Sequence, residues 1–381
     1  MPSFSAFARQ VFRTGLYEAQ HVLVSCDDVD VIPLEPSNAS RVTQTALRRL
    51  VYHDISRKLV SLNPGLRPVR LTKDYELFLV HCNFLEDVWY ANAIQGWRDH
   101  CKTSICWIDE LWSNSVPHLE YWLPVLSRFD YVIVGIPGSG KVLGDAIGRP
   151  CQEIDAAVDA IRFSPFPSPP GRVIDVYSVG RRWEGIHRRL LGSVGDAMFY
   201  VYNTVESAAE CAALDHIEHR DLYAHLAKRS RFFIVAPAKM DAAEETQGQV
   251  AFGYRYFEGS AAGAVLIGQA ANCDAFRRHF DWPDAVMEIQ PDGSDAVEVI
   301  SRLAAEPDRL RAISCRNAEE ALRRHDWLYR WKDILAMAGL KPRPQMEARE
   351  MRLGELAELA KECAAGVAGP ARYVGGSVGC A

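Results

Sequence analysis

Several stretches of this chain carry residue types at spacings that chemistry uses. Gly135-Ile-Pro-Gly-Ser-Gly140-Lys141 follows the apolar run Tyr131–Val134 and matches most of a phosphate-binding loop. There, backbone amides cradle phosphates and the lysine reaches the β/γ oxygens. Such a loop needs a Ser or Thr hydroxyl next, to hold Mg²⁺, but Val142 follows, so the segment reads as a Gly-rich strand-to-helix turn. His219-Arg-Asp-Leu222 copies the start of a protein-kinase catalytic loop. The magnesium-binding Asn due five residues after the Asp is Leu226, and the required Asp-Phe-Gly is Ala251-Phe-Gly253, so the tetrapeptide reads as part of a helix running to Lys228. Asp215, His216, Glu218 and His219 put two imidazoles on one helix face, yet no distant third ligand accompanies them; a solvated helix start is expected. Trp282-Pro-Asp284 has the form of a phosphatase acid loop, whose nucleophilic Cys is followed six positions on by Arg. Six beyond Cys273 stands His279, and that match carries nothing.

The richest segment runs from Arg231 to Gly268. A strand ends in Ala236-Pro-Ala-Lys239, a polar loop follows, and a short helix is predicted over Tyr256–Ala262 before a second buried strand, Ala264–Ile267. Gly259, Ser260, Ala261, Ala262 and Gly263 crowd that helix start. Small side chains there let phosphates approach the amides at the positive end of the helix dipole. Arg255 suits a charge-assisted contact with a diphosphate, and Glu258 could accept two sugar hydroxyls of a nucleotide. The alternative is tight helix–sheet packing with Glu258 as a charge cap.

These residues need a frame. Short apolar runs alternate with helical patterns: His21–Cys26, Glu76–His81, Ser104–Ile108 and Tyr131–Val134 in the first half, then Val173–Tyr177, Phe199–Tyr202, Phe232–Val235, Val265–Ile267 and Val286–Ile289. Continuous apolar strands separated by helices predict parallel sheets covered on both faces, hence two Rossmann-like doubly wound α/β domains. Ser40–Leu62 shows the clearest helical spacing in the first half. After Ile289 the pattern is purely helical, over Asp295–Ala305, Pro307–Arg324, Trp327–Ala338 and Arg349–Cys363. Pro165, Pro167, Pro169 and Pro170 mark a stiff connector. The division expected is a first domain over 1–161, a Pro-rich linker over 162–171, a second domain over 172–340, a linker and crossover helix over 341–363 and a flexible tail over 364–381.

Composition excludes other classes. With 43 Lys plus Arg against 49 Asp plus Glu, the net charge of −6 argues against nucleic acid as a partner, because phosphate neutralisation needs clustered excess cations. No stretch reaches the ~20 apolar residues that span a bilayer, and the start shows no signal-peptide pattern. The ten cysteines show no CxxC spacing, so reduced, partly buried thiols and a cytoplasmic location are expected, with no zinc site.

The donor-side segment resembles the donor-binding region of group 1 glycosyltransferases, particularly the spore-maturation-type branch, whose pattern is R-x-FE-x-x-A-x-G before a strand. It stands here as Arg255-Tyr-Phe-Glu258-Gly-Ser-Ala-Ala-Gly263. Ile154-Asp-Ala-Ala-Val-Asp-Ala-Ile-Arg-Phe-Ser-Pro165 resembles the family's interdomain phrase, Ser178-Val-Gly-Arg181-Arg182 its first donor-domain turn, and His325-Asp-Trp-Leu-Tyr-Arg330-Trp its closing helix. The resemblance covers Cys151 to Leu340, and implies a GT-B fold with the donor nucleotide-sugar held by the second domain. Glu258 would then hold the ribose beside Gly259, and Arg181 with Arg255 or Lys239 would neutralise the diphosphate, so that no metal or other cofactor is required. Retention of anomeric configuration is likewise implied. The chain departs from family 4 in two places: the second Glu expected eight residues before Glu258 is Val250, and Glu184-Gly185 replaces the usual Lys-Gly.

The first half should take the acceptor, whose identity the sequence leaves open. His81 ends one strand and Asp109 with Glu110 follows another, where open α/β sheets gather functional groups; His81 and Asp109 are the candidate catalytic residues. Trp89, Tyr90, Trp97, Trp107 and Trp112 fit core packing better than sugar stacking. Arg41, Arg48, Arg49, Arg57 and Lys58 surround the stripe of the Ser40–Leu62 helix, which either serves the core, as preferred here, or makes a peripheral contact with anionic lipid. The expected activity is a hexosyltransferase-like glycosyl transfer. A P-loop phosphotransferase and a non-catalytic donor-fold binding protein are the alternatives.

Overall fold

The computed structural model describes residues 3–4, 10–52, 57–193, 198–205, 213 and 215–366. The first sheet holds β1 (Tyr75–Cys82), β2 (Cys101–Ile108), β3 (Tyr131–Val134) and β4 (Gln152–Glu153), side by side in that order and all parallel. Around it lie α1 (Thr14–Cys26), α2 (Ser40–Tyr52) and α3 (Ser139–Ile147). The second sheet has five parallel strands: β5 (Ile174–Arg181), β6 (Tyr200–Val205), β7 (Ser230–Val235), β8 (Val265–Gly268) and β9 (Met287–Glu288). Their spatial order is β6-β5-β7-β8-β9. Its helices are α4 (Glu184–Gly192), α5 (His216–Lys228), α6 (Tyr254–Ala261), α7 (Ala296–Ala304), α8 (Pro307–Arg324) and α9 (Trp327–Met337), and α10 (Pro344–Ala364) closes the chain. The architecture is α/β, two Rossmann-like sheets with a helical C-terminal part.

The apolar strands explain the layering. Along β7, Phe232 and Ile234 pack into one core with Val176, Val265 and Ile300, while Phe233 and Val235 enter the opposite one, so both faces are buried. The aromatic residues Trp89, Tyr90, Trp97, Trp107 and Trp112 are all buried, as packing required. A third core under the first sheet gathers Phe78, Val80, Trp97, Trp122 and Phe129.

Four expectations change. His21–Cys26 lies in α1: Leu16, Ala19, Val22 and Cys26 are buried at helical spacing, which outweighs the β-branched run. That helix also packs on elements of the second half, for Trp331 Nε1 donates to the Ala19 carbonyl at 2.9 Å. Of the helix expected over Ser40–Leu62, Ser40–Tyr52 is helical and Arg57–Ser61 is a 3₁₀ turn; residues 53–56 lie outside the described residues. Cys315 on α8 and Cys363 on α10 form a disulfide, Cα atoms 6.1 Å apart, where free thiols were expected. α10 begins at Pro344 rather than Arg349, and of the tail expected over 364–381, residues 367–381 lie outside the described residues. Among the described residues no helix is long and apolar enough to cross a membrane.

Candidate active site

The strand order of the second sheet reverses direction at β5, since β6 lies on one side of it and β7 on the other. Such a switch point opens a crevice beyond the carboxyl ends of the strands. Arg181 closes β5 there, and Ala236 and Pro237 follow β7. These residues, with Arg182, Trp183, Met240, Asp241 and Arg255, line a cleft of about 180 Å³. Gly180 sits at φ +79°, a left-handed conformation natural to glycine, and the Arg255 Nη1 donates to the carbonyls of Val179 and Arg181 on either side of it, each at 3.2 Å. Arg255 stands in the first turn of α6, where the amides point and the dipole is positive. Arg181 pairs with Asp241 at 3.0 Å. Lys239, itself at φ +52°, pairs with Glu245 at 3.3 Å and with Glu110 beyond β2 at 3.6 Å, its ammonium 5.2 Å from the Trp112 ring centroid. Two of the expected donor residues, Arg181 and Arg255, therefore line one crevice, while Lys239, just after β7, lies against Glu110, Glu245 and Trp112.

The other two are placed differently. Helix α6 starts at Tyr254, two residues earlier than the small-residue cluster predicted, so Gly259 falls in its second half. A Cβ at Gly259 would come within 2.6 Å of the Leu266 side chain and 2.8 Å of Phe233: this glycine serves contact between helix and sheet, not phosphate approach. Glu258 is 3% exposed. One of its carboxylate oxygens accepts from Arg220 Nη1 and the other from the Tyr223 hydroxyl at 2.7 Å. Arg220 Nε also donates to Glu18 of α1 at 2.7 Å, and Trp327 Nε1 to the other oxygen of Glu18 at 3.1 Å. Burial disfavours the Arg220 charge, but Glu18 and Glu258 outweigh it and hold the guanidinium firmly protonated. Burial raises the Glu18 carboxyl despite that cation, and raises the Tyr223 phenol. Both Glu258 oxygens are thus engaged in an internal network.

His81 and Asp109 do meet, at the carboxyl ends of β1 and β2. His81 Nε2 lies 3.1 Å from Asp109 Oδ1, its ring stacked 4.2 Å from that of Trp107. The second Asp109 oxygen accepts a hydrogen bond from the hydroxyl of Tyr254, the first residue of α6. Burial and then Asp109 raise the Tyr254 phenol, so it stays a donor. The His81 side chain is wholly buried, and its Nδ1 has no hydrogen-bond partner among the described residues. Gly15 of α1 makes room for this arrangement: a Cβ there would sit 2.7 Å from the Tyr254 ring. Tyr254 thus joins the two sheets at the cleft. Sequence pattern did not single it out, because its role depends on partners 145 residues away.

The Gly-rich turn at Gly135–Lys141 lies on the facing side. Gly138 adopts φ +86°, and the amides of Gly138 and Gly140 both donate to Glu153 Oε1, at 3.0 and 2.9 Å. The amides that a phosphate would use already hold a carboxylate. Lys141 is exposed and pairs with Asp145 at 2.8 Å. Gln249, from the loop before α6, grips this turn: its Nε2 donates to the Pro137 carbonyl at 2.8 Å and to Ser139 Oγ at 3.0 Å, while its Oε1 accepts from the Ser113 amide at 2.9 Å. Asp215 caps α5 through the amides of Ile217 and Glu218, as a helix start predicts, and among the described residues no group of His, Cys, Asp and Glu is arranged to hold a metal ion.

No curated protein matches the chain. Residues 174–336, which run from β5 through most of α9 and contain Arg181, Lys239, Arg255 and Glu258, match the model of a family described as glycosyl transferase-like.

Proposed function

We propose that the chain transfers a sugar from a nucleotide-diphosphate donor to an acceptor, in the cleft between its two sheets, without a metal ion and with retention of anomeric configuration. The observation that carries this reading is that Arg181 and Arg255 line one crevice at the switch point of the sheet, with Lys239 just after β7, inside the glycosyl transferase-like segment. Sugar transfer requires the departing diphosphate to be stabilised while the anomeric carbon gains oxocarbenium character. Two guanidinium groups and an ammonium, fixed by the ends of β5, β7 and α6, supply that charge in place of a divalent ion. The acceptor would approach from the first sheet, where Asp109 is held between His81 and Tyr254; in that reading the carboxylate orients the acceptor or takes its proton. The Glu153-filled turn disfavours the phosphotransferase alternative, because an incoming triphosphate would have to displace a built-in anion.

The test is donor screening. Uridine, guanosine and thymidine diphosphate sugars are compared by thermal shift, then by transfer in excess chelator, since a ligand that binds only the folded state stabilises it. Stabilisation by one donor, with turnover that survives chelator and is lost in Arg255→Ala, is the expected outcome. Binding without turnover towards any acceptor would identify a non-catalytic binding protein. Activity lost with both chelator and Lys141→Ala would overturn the reading.

A second reading concerns membranes, and one observation favours it. Val42, Ala46 and Leu50 form a stripe along α2 that is exposed, 74% for Val42, while Leu47 packs on the core of the first sheet. Of the stripe expected to serve the core, Leu47 does so while Leu50 joins this exposed face, on a helix with three arginines and no acidic residue. Such a helix fits an anionic lipid surface. Co-flotation with anionic vesicles that disappears in Val42→Asp/Leu50→Asp is the expected result.

A further inference from the structure

The cations expected to hold the donor already have partners, and most of those partners come from one segment. Between β7 and α6, residues 239–251 cross the mouth of the cleft. Asp241 lies on Arg181 at 3.0 Å and Glu245 on Lys239 at 3.3 Å, with Glu110 of the facing side adding a third carboxylate at 3.6 Å. All three acids are at least a third exposed, so the pairs sit at the cleft mouth and not in the core. The segment holds its position by polar clasps to the first half: Asn114 Nδ2 donates to the Glu245 carbonyl at 2.8 Å, and Gln249 grips the Gly135–Lys141 turn. Its apolar anchorage is modest: a small cluster of Trp112, Ile136, Ala251 and Ala238, and Val250 packed part-buried against the main core. Two of its residues, Lys239 and Gln247, carry φ of +52° and +50°, conformations that non-glycine residues adopt at a cost.

We infer that the acidic side chains of this segment, Asp241 and Glu245, form an anionic strap that competes with the donor's diphosphate for Arg181 and Lys239. The inference rests on the proposed reading of the cleft as a diphosphate site. Weak, solvent-exposed ion pairs suit such a device. They neutralise the cations while the cleft is empty, yet a ligand carrying two phosphates replaces them with stronger charge-assisted hydrogen bonds. Removing a strap carboxylate should then tighten anion binding, which is the opposite of what loss of a ligand-contacting residue does. The gain expected is about three- to fivefold for each of Asp241→Asn and Glu245→Gln, the range of an exposed ion pair.

Calorimetric titration of the full chain with inorganic pyrophosphate and with uridine diphosphate, without metal, tests this. Both substitutions keep side-chain shape at exposed positions, and circular dichroism verifies the fold. Tighter binding in Asp241→Asn and Glu245→Gln, with weaker binding in Arg181→Ala, is the expected result. If Arg181→Ala binds as wild type does, or if neither wild type nor the strap variants bind either probe, the diphosphate reading of the cleft fails and the strap fails with it. If Arg181→Ala loses binding while the two strap variants bind no tighter than wild type, the cleft reading stands and the strap is overturned.

Discussion

At the start of α3, the amides of Gly138 and Gly140 converge on one oxygen of Glu153; at the start of α6, Arg255 reaches across Gly180 to two carbonyls, and the neighbouring Arg181 answers a carboxylate from an exposed loop. Both turns follow a strand of a parallel sheet, and both present the positive end of a helix to the same cleft. The difference lies in what supplies the negative charge. Glu153 belongs to β4, fixed within the first sheet, so it fills its turn as a permanent part of the fold. Asp241 and Glu245 belong to a loop between elements and can be exchanged for a ligand. A Gly-rich loop with a lysine is therefore no evidence of phosphate binding until the occupant of its amides is known.

Arg220 sharpens the comparison most. It stands between Glu18 and Glu258 with almost no exposure. Arg220→Met would leave two buried carboxylates without their cation and should cost about 3–5 kcal/mol of stability, read from urea unfolding. The exposed counterpart, Asp241→Asn, should change stability by less than about 0.5 kcal/mol. Equal losses would break the distinction between fixed and exchangeable pairs. Glu258→Gln divides the same way. As a network member it lowers stability and weakens uridine diphosphate and pyrophosphate alike, whereas a ribose ligand would weaken only the nucleotide.

On the binding side, Arg255→Ala should weaken uridine diphosphate by about 1.5–3 kcal/mol, the range for hydrogen bonds to charged groups, measured by calorimetry. Lys141→Ala should leave it unchanged. Glu153→Ala should cost about 1–2 kcal/mol of stability by freeing two amides, without loss of nucleotide affinity. A loss of affinity there would return the Gly-rich turn to the site.

Acid should also separate the two regions. Burial lowers the imidazole of His279, and lowers that of His325 much further; His325 Nε2 donates to the His279 carbonyl at 2.9 Å in the packed core of the second half. A histidine whose folded pKa lies below its unfolded value of about 6.5 favours the folded state above that pH, and this support is lost as the pH falls. Stability should decline from about pH 6.5 towards 5, and His325→Gln should flatten that slope. Hydrogen exchange in α8 and α9 at the two pH values reads it locally, and a slope unchanged in the variant would exclude His325 as its source.

Much of the fold was legible from the residues. Tyr131–Val134 and Pro307–Arg324 fall where the apolar period placed them, and Arg181 and Arg255 reach one crevice because one ends a readable strand and the other opens a readable helix. The failures share a cause. His21–Cys26 carries a strand-like run, but the helix is chosen by the core it meets. Glu258 carries a recognisable motif, but its environment is set by Arg220 and, through it, by Glu18, which lies 202 residues from that arginine. The tetrapeptide containing Arg220 looked like a borrowed catalytic loop, and its arginine proves to be the hub of that network. Local pattern reports propensity and spacing; it cannot report which distant charge comes to rest beside a carboxylate.

α1 is made long before several of the residues it packs against. Glu18 meets Arg220 after 202 further residues and Trp327 after 309, and Ala19 meets Trp331 after 312. At about 5–20 residues per second, roughly 10–60 s pass between the making of this helix and that of the residues that bury it. Until then Glu18 can meet only the Asp159 amide, and lacks the cation that balances its charge. An expression fragment cut after the proline-rich connector would carry α1 as an orphan, and one beginning there would lack the carboxylate that Arg220 needs. The two halves of the cleft are thus manufactured as one object, sealed by a segment made well before its partners.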